Sequence, residues 1–535
     1  MKKLFKFLIV LSIGLVLLGG ALAYFGERWF NNHLEDIFNQ NPERKYDFHL
    51  KEVRLNLLGR SISLDDLEIN SRNLDSTNRV NGKIRKAIFR KVQLIDLIFK
   101  KHLVLDDLEF LDPFFEVQLF SSQKEKDSPG DALQNFFGEI LYRGKIKNFI
   151  LYRGNAEIRL DSIQKGGFYN LGILATELET DSIKVQYPIP FDYKRLVFSF
   201  DSLSYQLDKD QNLKLGKMQF DTDLHEFTLK SISLTYAEGL MKYAKSQSVQ
   251  KDFVEIQIDS LKLTGFAHDI RLYSGLDVRG EKMELFGFIL DDFRDKAHPR
   301  PKDEDKPMFQ GLISRIDFPI SLDTLKFTNT TLSYGESVPE KGENWRIHFD
   351  DLNGVILNLT TLPENQAKKG TFDIGFSSKL NGLGKMQTKI TVPYEKDEFE
   401  LEVDLRDFPI AKLNDILKPI MNGEITNGHL DRMRLKMKAN ESQAQVNFIF
   451  DYTELKVVLF KKSGKKANKL VSILANLAIN NSNLPGEKRY LSPSFIQPRN
   501  KFRGPFNLIW QSTKTGMLEV IPGGAAKEIL NSNEK

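Results

Sequence analysis

Lys385-Met386-Gln387-Thr388-Lys389-Ile390-Thr391-Val392, followed after a polar break by Phe399-Glu400-Leu401-Glu402-Val403-Asp404-Leu405, decides the fold. In the first half Met386, Thr388, Ile390 and Val392 alternate with Lys385, Gln387, Lys389 and Thr391. In the second half Phe399, Leu401, Val403 and Leu405 alternate with Glu398, Glu400, Glu402 and Asp404. A period of two sends successive side chains to opposite faces, so each half reads as a half-buried strand and the pair as a hairpin. A turn at Glu395-Lys396-Asp397 sets Lys389 beside Glu400 and Lys385 beside Asp404 on the wet face. Ile390 then meets Phe399, and Met386 meets Val403, on the dry face.

A second pattern recurs outward from this hairpin: apolar, any, apolar, Asp, a small or acidic residue, Leu, any, apolar. It occurs at Ile62–Ile69, Leu103–Phe110, Phe198–Tyr205, Ile256–Leu263 and Ile320–Phe327, around Asp65, Asp106, Asp201, Asp259 and Asp323. Ile347–Gly354, around Asp350, is a weaker sixth copy. Within each copy the apolar phase slips by one, and a flat strand would throw half its apolar set into water. A bulge at the Asp restores one apolar face, so these Asp residues read as structural rather than catalytic. Six irregularly spaced copies suggest one β architecture reused along the chain.

Helical patterns are few and short: Asn31–Gln40, Asp131–Tyr142, Ala237–Ser246, Ile410–Met421 and an amphipathic stretch over Gly464–Asn481. Linker signals fall at Ser121–Gly130 and Arg294–Pro307. The expected organisation is an anchor over 1–25, a strand module over 26–125 and a middle β region over 131–293. A second β region follows over 309–460, and a C-terminal amphipathic helix and closing segment over 461–535.

The anchor rests on the N-terminus. Lys2, Lys3 and Lys6 precede Phe7–Phe25, 19 residues without a charge. As a helix that run is about 28 Å long, enough to cross a hydrocarbon core. Tyr24, Phe25, Trp29 and Phe30 suit an interfacial aromatic belt, and the lysines favour a cytoplasmic N-terminus with the bulk outside. The alternative is a signal peptide cleaved after Ala21-Leu22-Ala23.

Composition narrows the function classes. At 41% hydrophobic and 28% charged residues, the chain is neither disordered nor polytopic. A net charge of +4 gives no case for nucleic acid. The absence of cysteine excludes disulfides, thiolate metal sites and cysteine catalysis. Forty Phe against 15 Tyr and 3 Trp mean much purely apolar ring to bury, or a greasy ligand to handle. No Gly-rich phosphate loop or Gly-x-Ser-x-Gly elbow is present, and the eight histidines show no metal-ligand spacing. The sequence therefore points to a protein that is not an enzyme and carries no catalytic, metal or cofactor residues. Lys461-Lys462-Ser463-Gly464-Lys465-Lys466 reads as a solvated loop before it reads as a contact for anionic lipid.

The N-terminal apolar run, a short helix, then paired entry and return strands ending in Leu108-Glu109-Phe110-Leu111-Asp112-Pro113-Phe114-Phe115-Glu116-Val117 resemble the AsmA-like family of Gram-negative envelope proteins. Pro409–Met421, His429–Phe460 and Phe506-Asn507-Leu508-Ile509-Trp510 are similar to the C-terminal part of some AsmA-related proteins. The resemblance implies a mainly β fold: an N-terminal transmembrane helix, then an elongated, twisted antiparallel β-groove or sandwich with a few short helices. It is related in plan to bridge-like lipid-transfer proteins. It further implies single-pass inner-membrane anchoring with the bulk in the periplasm, and a part in phospholipid transport or outer-membrane integrity. The partners would be membrane lipid and an envelope protein, without nucleic acid or cofactor. The lipid-groove candidates are Leu105, Leu108, Phe110, Ile256, Ile258, Leu322, Leu325 and Phe327. The rival is a non-enzymatic scaffold whose sheets close on themselves and bind a protein partner.

Overall fold

The structure is a computed structural model. It describes residues 20, 24–29, 31–36, 39 and, with short gaps, 44–93, 103–120, 144–179, 192–266, 277–420, 423–460 and 479–522. All of the expected anchor's charge-free run but Gly20, Tyr24 and Phe25, the Asp131–Tyr142 helix, the Ser121–Gly130 linker and nearly all of Gly464–Asn481 lie outside these residues. Among the described residues no helix is long and apolar enough to cross a membrane.

The fold is mainly β, a large mixed sheet that is largely antiparallel, with few short helices. The chain divides into two compact units, 1–231 with 271–275, and 232–270 with 276–535.

The first unit carries β1 (Tyr46–His49), β2 (Glu52–Asn56), β3 (Ser61–Ser71), β4 (Arg79–Arg90), β5 (Leu103–Leu119) and β6 (Gly144–Leu160). It continues with β7 (Ile163–Glu179), β8 (Arg195–Phe200), β9 (Ser202–Gln206), β10 (Gln211–Leu215) and β11 (Met218–Asp221). β12 (Glu226–Tyr236) crosses the boundary. The duplicated entry and return strands stand side by side as β2–β3 and β4–β5, all antiparallel.

The second unit carries α1 (Leu240–Lys245), β13 (Asp252–Thr264), β14 (Val278–Phe286), β15 (Ile289–Arg294), α2 (Phe309–Ile313), β16 (Ile320–Val338) and β17 (Glu343–Thr360). Next come α3 (Pro363–Lys369), β18 (Thr371–Leu380), β19 (Leu383–Pro393), β20 (Phe399–Pro409), a 3-10 turn (Ile410–Leu413) and α4 (Asn414–Ile420). β21 (Gly423–Ala439), β22 (Gln443–Leu459), β23 (Ser494–Pro498) and α5 (Pro505–Val520) complete it.

The antiparallel expectation needs correcting at three places: β5–β6, β14–β16 and β15–β16 are parallel. A parallel neighbour requires a long crossover, and residues 120–143 and 295–319 are long enough to provide one. Arg294–Pro307 therefore does not separate one sheet from another, since β15 and β16 on either side of it are hydrogen-bonded together.

The hairpin is β19–β20, with its faces as expected and its register shifted by two residues. Ile390 pairs with Leu401, Met386 with Leu405, Lys389 with Glu402 and Lys385 with Arg406. The loop is Tyr394–Glu398, longer than the expected turn. Its Asp397 carboxylate accepts from the backbone N–H groups of Met308 (2.7 Å) and Gly311 (3.0 Å), so it serves the start of α2 instead of closing a tight turn.

Each Asp copy marks a slip, and each slip has a left-handed residue. Asp66 (φ 51°) and Asp351 (φ 49°) are themselves left-handed. Lys91, Asn170, Gly287 and Asn358 are left-handed across from Asp106, Asp201, Asp259 and Asp323. Asp, Asn and Gly tolerate this backbone better than other residues, and five of these six left-handed positions hold one of them, Lys91 being the exception. Buried Ile62 and Leu64 give way to buried Leu67 and Ile69 across Asp66. The expected form needs refining there. Asp65 pairs with Lys86 and Leu67 with Ile84, so both strands slip together without two residues facing one. At Asp351 the β17–β18 register does shift.

In the first unit several slips line up into a polar seam through Asp66, Arg85, Asp112 and Arg153. Asp112 receives Arg153 Nε at 2.5 Å and Arg85 Nε at 2.6 Å. Arg153, with Arg85 behind it, draws the Asp112 carboxyl down to about 2. The seam reaches Asn170, whose amide donates to Asp201 at 2.6 Å.

Candidate functional site

The candidate site is the apolar face of the second unit. Residues paired across neighbouring strands share a face. Ile256 pairs with Leu290, Leu290 with Leu332, and Leu332 with Phe349. Beyond the Asp259 slip, Leu261 pairs with Leu285 and Leu263 with Met283. These continue to Phe327 and Leu325 on β16, and Leu325 to Ile356 on β17. Ile256, Ile258, Leu261, Met283, Leu285, Leu290, Leu325 and Leu332 are all half-buried. Leu263, Leu322, Phe327 and Leu352 are buried.

The opposite face of β13 and β15 is covered, since Phe293 is buried in a cluster with Tyr236, Leu240 and Ala244, against which Phe253 packs. α1 supplies Leu240 and Ala244 to that cover.

The same sheet closes farther along. On β18–β22, Phe372, Ile390, Phe399, Leu401, Leu435, Val446, Phe448 and Tyr452 belong to one buried core. α5 lies over β22, with Leu508, Ser512, Gly516 and Val520 buried at four-residue spacing. A Cβ on Gly516 would overlap the Phe448 ring, so the helix seats at a distance only glycine permits. Ile410 of the 3-10 turn and Met308 and Phe309 at α2 fill the rest of this core.

The eight residues expected to line a shared channel therefore divide. Ile256, Ile258, Leu322, Leu325 and Phe327 come together on the second unit's face. Leu105, Leu108 and Phe110 lie in the first unit, where they are at most 3% exposed and Phe110 meets Phe149 edge-on at 5.5 Å. Leu261, Met283, Leu285, Leu290 and Leu332 complete the face and were missed. The signal for them was available as the continuation of alternation beyond each Asp.

A polar cluster also missed from sequence ends this face. Asp292 pairs with Val254 on β13 and Tyr334 on β16, while Arg294 pairs with Asp252 and Glu336. Trp345 pairs with Glu336. Tyr334 Oη donates to Glu336 Oε1 at 2.8 Å, and Lys296 Nζ lies 2.5 Å from Glu336 Oε2. Arg294 Nε donates to Asp252 Oδ1 at 2.7 Å. Asp292 Oδ1 is buried with no hydrogen-bond partner. Burial, reinforced by the Asp252 charge, pushes the Asp292 carboxyl up to about 7. Burial and Glu336 together raise the Tyr334 phenol above its ordinary range. The visible signal was the phase of Leu290-Asp291-Asp292-Phe293-Arg294, which puts Asp292 and Arg294 in step with Leu290.

Among the described residues, no group of three or more His, Asp or Glu side chains is placed to hold a metal ion. The sequence matches no protein-family model and no curated protein.

Proposed function

We propose that this chain is a non-enzymatic, inner-membrane-anchored periplasmic protein that holds lipid tails along an apolar β-groove and serves lipid transport or outer-membrane integrity. The observation that carries this reading is the row of half-buried apolar side chains across β13–β16, continuous over four strands. A self-filling core reaches near-crystalline density and buries its side chains fully. An extended apolar surface left partly open instead suits an apolar ligand. The anchor and orientation rest on Lys2, Lys3, Lys6 and the charge-free run to Phe25.

Photo-crosslinking tests the reading directly. A photoreactive side chain at Ile256 or Leu285 should capture phospholipid in intact envelopes, and one at Phe399 should capture only this chain. Capture of protein alone from Ile256 and Leu285 would remove the groove.

A second reading, the scaffold that binds an envelope protein, is favoured by the closed core under α5. It requires the β13–β16 face to be covered by a protein partner, and the same crosslinks would then carry that partner's peptide.

A further inference from the structure

The apolar face of β13–β17 ends in charge. Asp252, Asp292, Arg294, Tyr334, Glu336 and Trp345 stand on four adjacent strands, in phase with Ile256, Leu290, Leu332 and Ile347. A sheet face that runs from aliphatic to zwitterionic has the polarity profile of a lipid. We propose that this cluster is a headgroup subsite taking the primary ammonium and the phosphate of a zwitterionic aminophospholipid, with its tails on the neighbouring aliphatic row. The proposal rests on the groove reading.

The chemistry selects the amine. Asp292 Oδ1 is a buried acceptor without a donor, which is costly unless a ligand or water supplies one. Asp252 already holds Arg294 and Glu336 already holds Lys296, so Asp292, when ionised, is the carboxylate of the group left without a cation of its own. Tyr334 and Trp345 meet edge to face at 5.7 Å and offer ring surface to a cation. A quaternary ammonium has no N–H to give Asp292, whereas a primary ammonium has three. Arg294 and Lys296, 31% and 44% exposed, keep N–H donors beyond their carboxylate partners and can meet the phosphate.

The test uses the full chain in mild detergent. It is incubated with equimolar phosphatidylethanolamine, phosphatidylcholine and phosphatidylglycerol carrying the same acyl chains. Lipid retained after re-isolation is quantified by mass spectrometry. Phosphatidylethanolamine should exceed phosphatidylcholine about tenfold, the value of one charge-assisted hydrogen bond. Asp292→Asn should bring the ratio near unity while total lipid holds. Asp291→Asn, on the opposite face and bonded to Arg346, should leave the ratio unchanged.

The ratio should also rise from pH 6 to pH 8. The Asp292 carboxyl, set at about 7 among Asp252 of β13, Asp291 and Arg294 of β15, and Tyr334 and Glu336 of β16, ionises over that interval. Lipid bound without headgroup preference, or a preference that survives Asp292→Asn, overturns the subsite and leaves the groove standing. No retained lipid of any class overturns both.

Discussion

β13–β16 and β18–β23 belong to one unit and share the alternating pattern, yet one face is half-open and the other is closed; β17 joins them, its half-buried Ile347, Phe349 and Ile356 packing against the closed core. The difference lies in what lies against the apolar side. Over β18–β23, α5, the 3-10 turn and α2 supply Leu508, Val520, Ile410, Met308 and Phe309, and the strand residues beneath are buried. Over β13–β16 the sheet's helical partner, α1, packs on the other side, against Phe293. An alternating strand specifies which side is apolar and leaves open whether protein or ligand covers it. Helices decide that, and two of them, α2 and α5, reach the closed face from outside the strands they cover.

The comparison breaks most forcefully at Ile390. It belongs to the closed core, so Ile390→Asp buries a charge with no partner and should cost about 3–5 kcal/mol, or leave the carboxyl protonated. Chemical denaturation checks it. A loss under about 1 kcal/mol would mean that the β19 face is open after all. Gly516→Val follows. Its side chain must displace the Phe448 ring, and about 1–3 kcal/mol of overpacking should loosen α5 from β22. Hydrogen exchange should then rise over Pro505–Val520 and spare β13–β17. Unchanged exchange there would show that the cap is not held by this contact.

Asp292 carries a pH signature. Its carboxyl is raised in the folded state, so the fold binds a proton that the unfolded chain has lost between pH 4 and pH 7. Stability from this group is full below about pH 4, falls as pH rises to about 7, and is flat above. Discounted for solvent screening, the loss should be about 1–2 kcal/mol. Asp292→Asn should flatten that slope. An unaltered slope would place the proton elsewhere.

Much of this fold was legible in the sequence because alternation and its interruptions are local. The Asp copies announced six of the slips, since a left-handed residue lies in each copy or directly across from it, while others, such as those at Asp112, Arg153 and Asp407, carry no such motif. Register was less legible. The β19–β20 loop is lengthened by Asp397, which serves backbone groups at Met308, 89 residues away, and no pattern within the hairpin records that. The parallel pairings depend on crossovers and were equally hidden. α5 escaped because its buried stripe, Leu508, Ser512, Gly516 and Val520, is half small or polar, while Phe506, Ile509 and Trp510 look strand-like. The polar cluster escaped because charges at alternate positions usually mean solvent, and only the paired register puts Asp292 and Arg294 in line with Leu290.

The smallest expected effect on stability falls at Leu325, and it sharpens the comparison most. Leu325 stands between Met283 and Ile356 on the half-buried face. In Leu325→Lys the aliphatic stem keeps most of the contact, and the ammonium reaches water along the open side. The loss should stay within about 1 kcal/mol, well short of Ile390→Asp. Lipid capture from Ile256 should fall sharply, because a charge now stands in the path of the tails. A closed face predicts the opposite pairing: Leu325→Lys would bury an ammonium with no exit and unfold the unit as Ile390→Asp does. Denaturation and crosslinking on the same preparation separate the two. A folded variant that captures less lipid keeps the two regions distinct, and an unfolded one makes them a single closed sandwich.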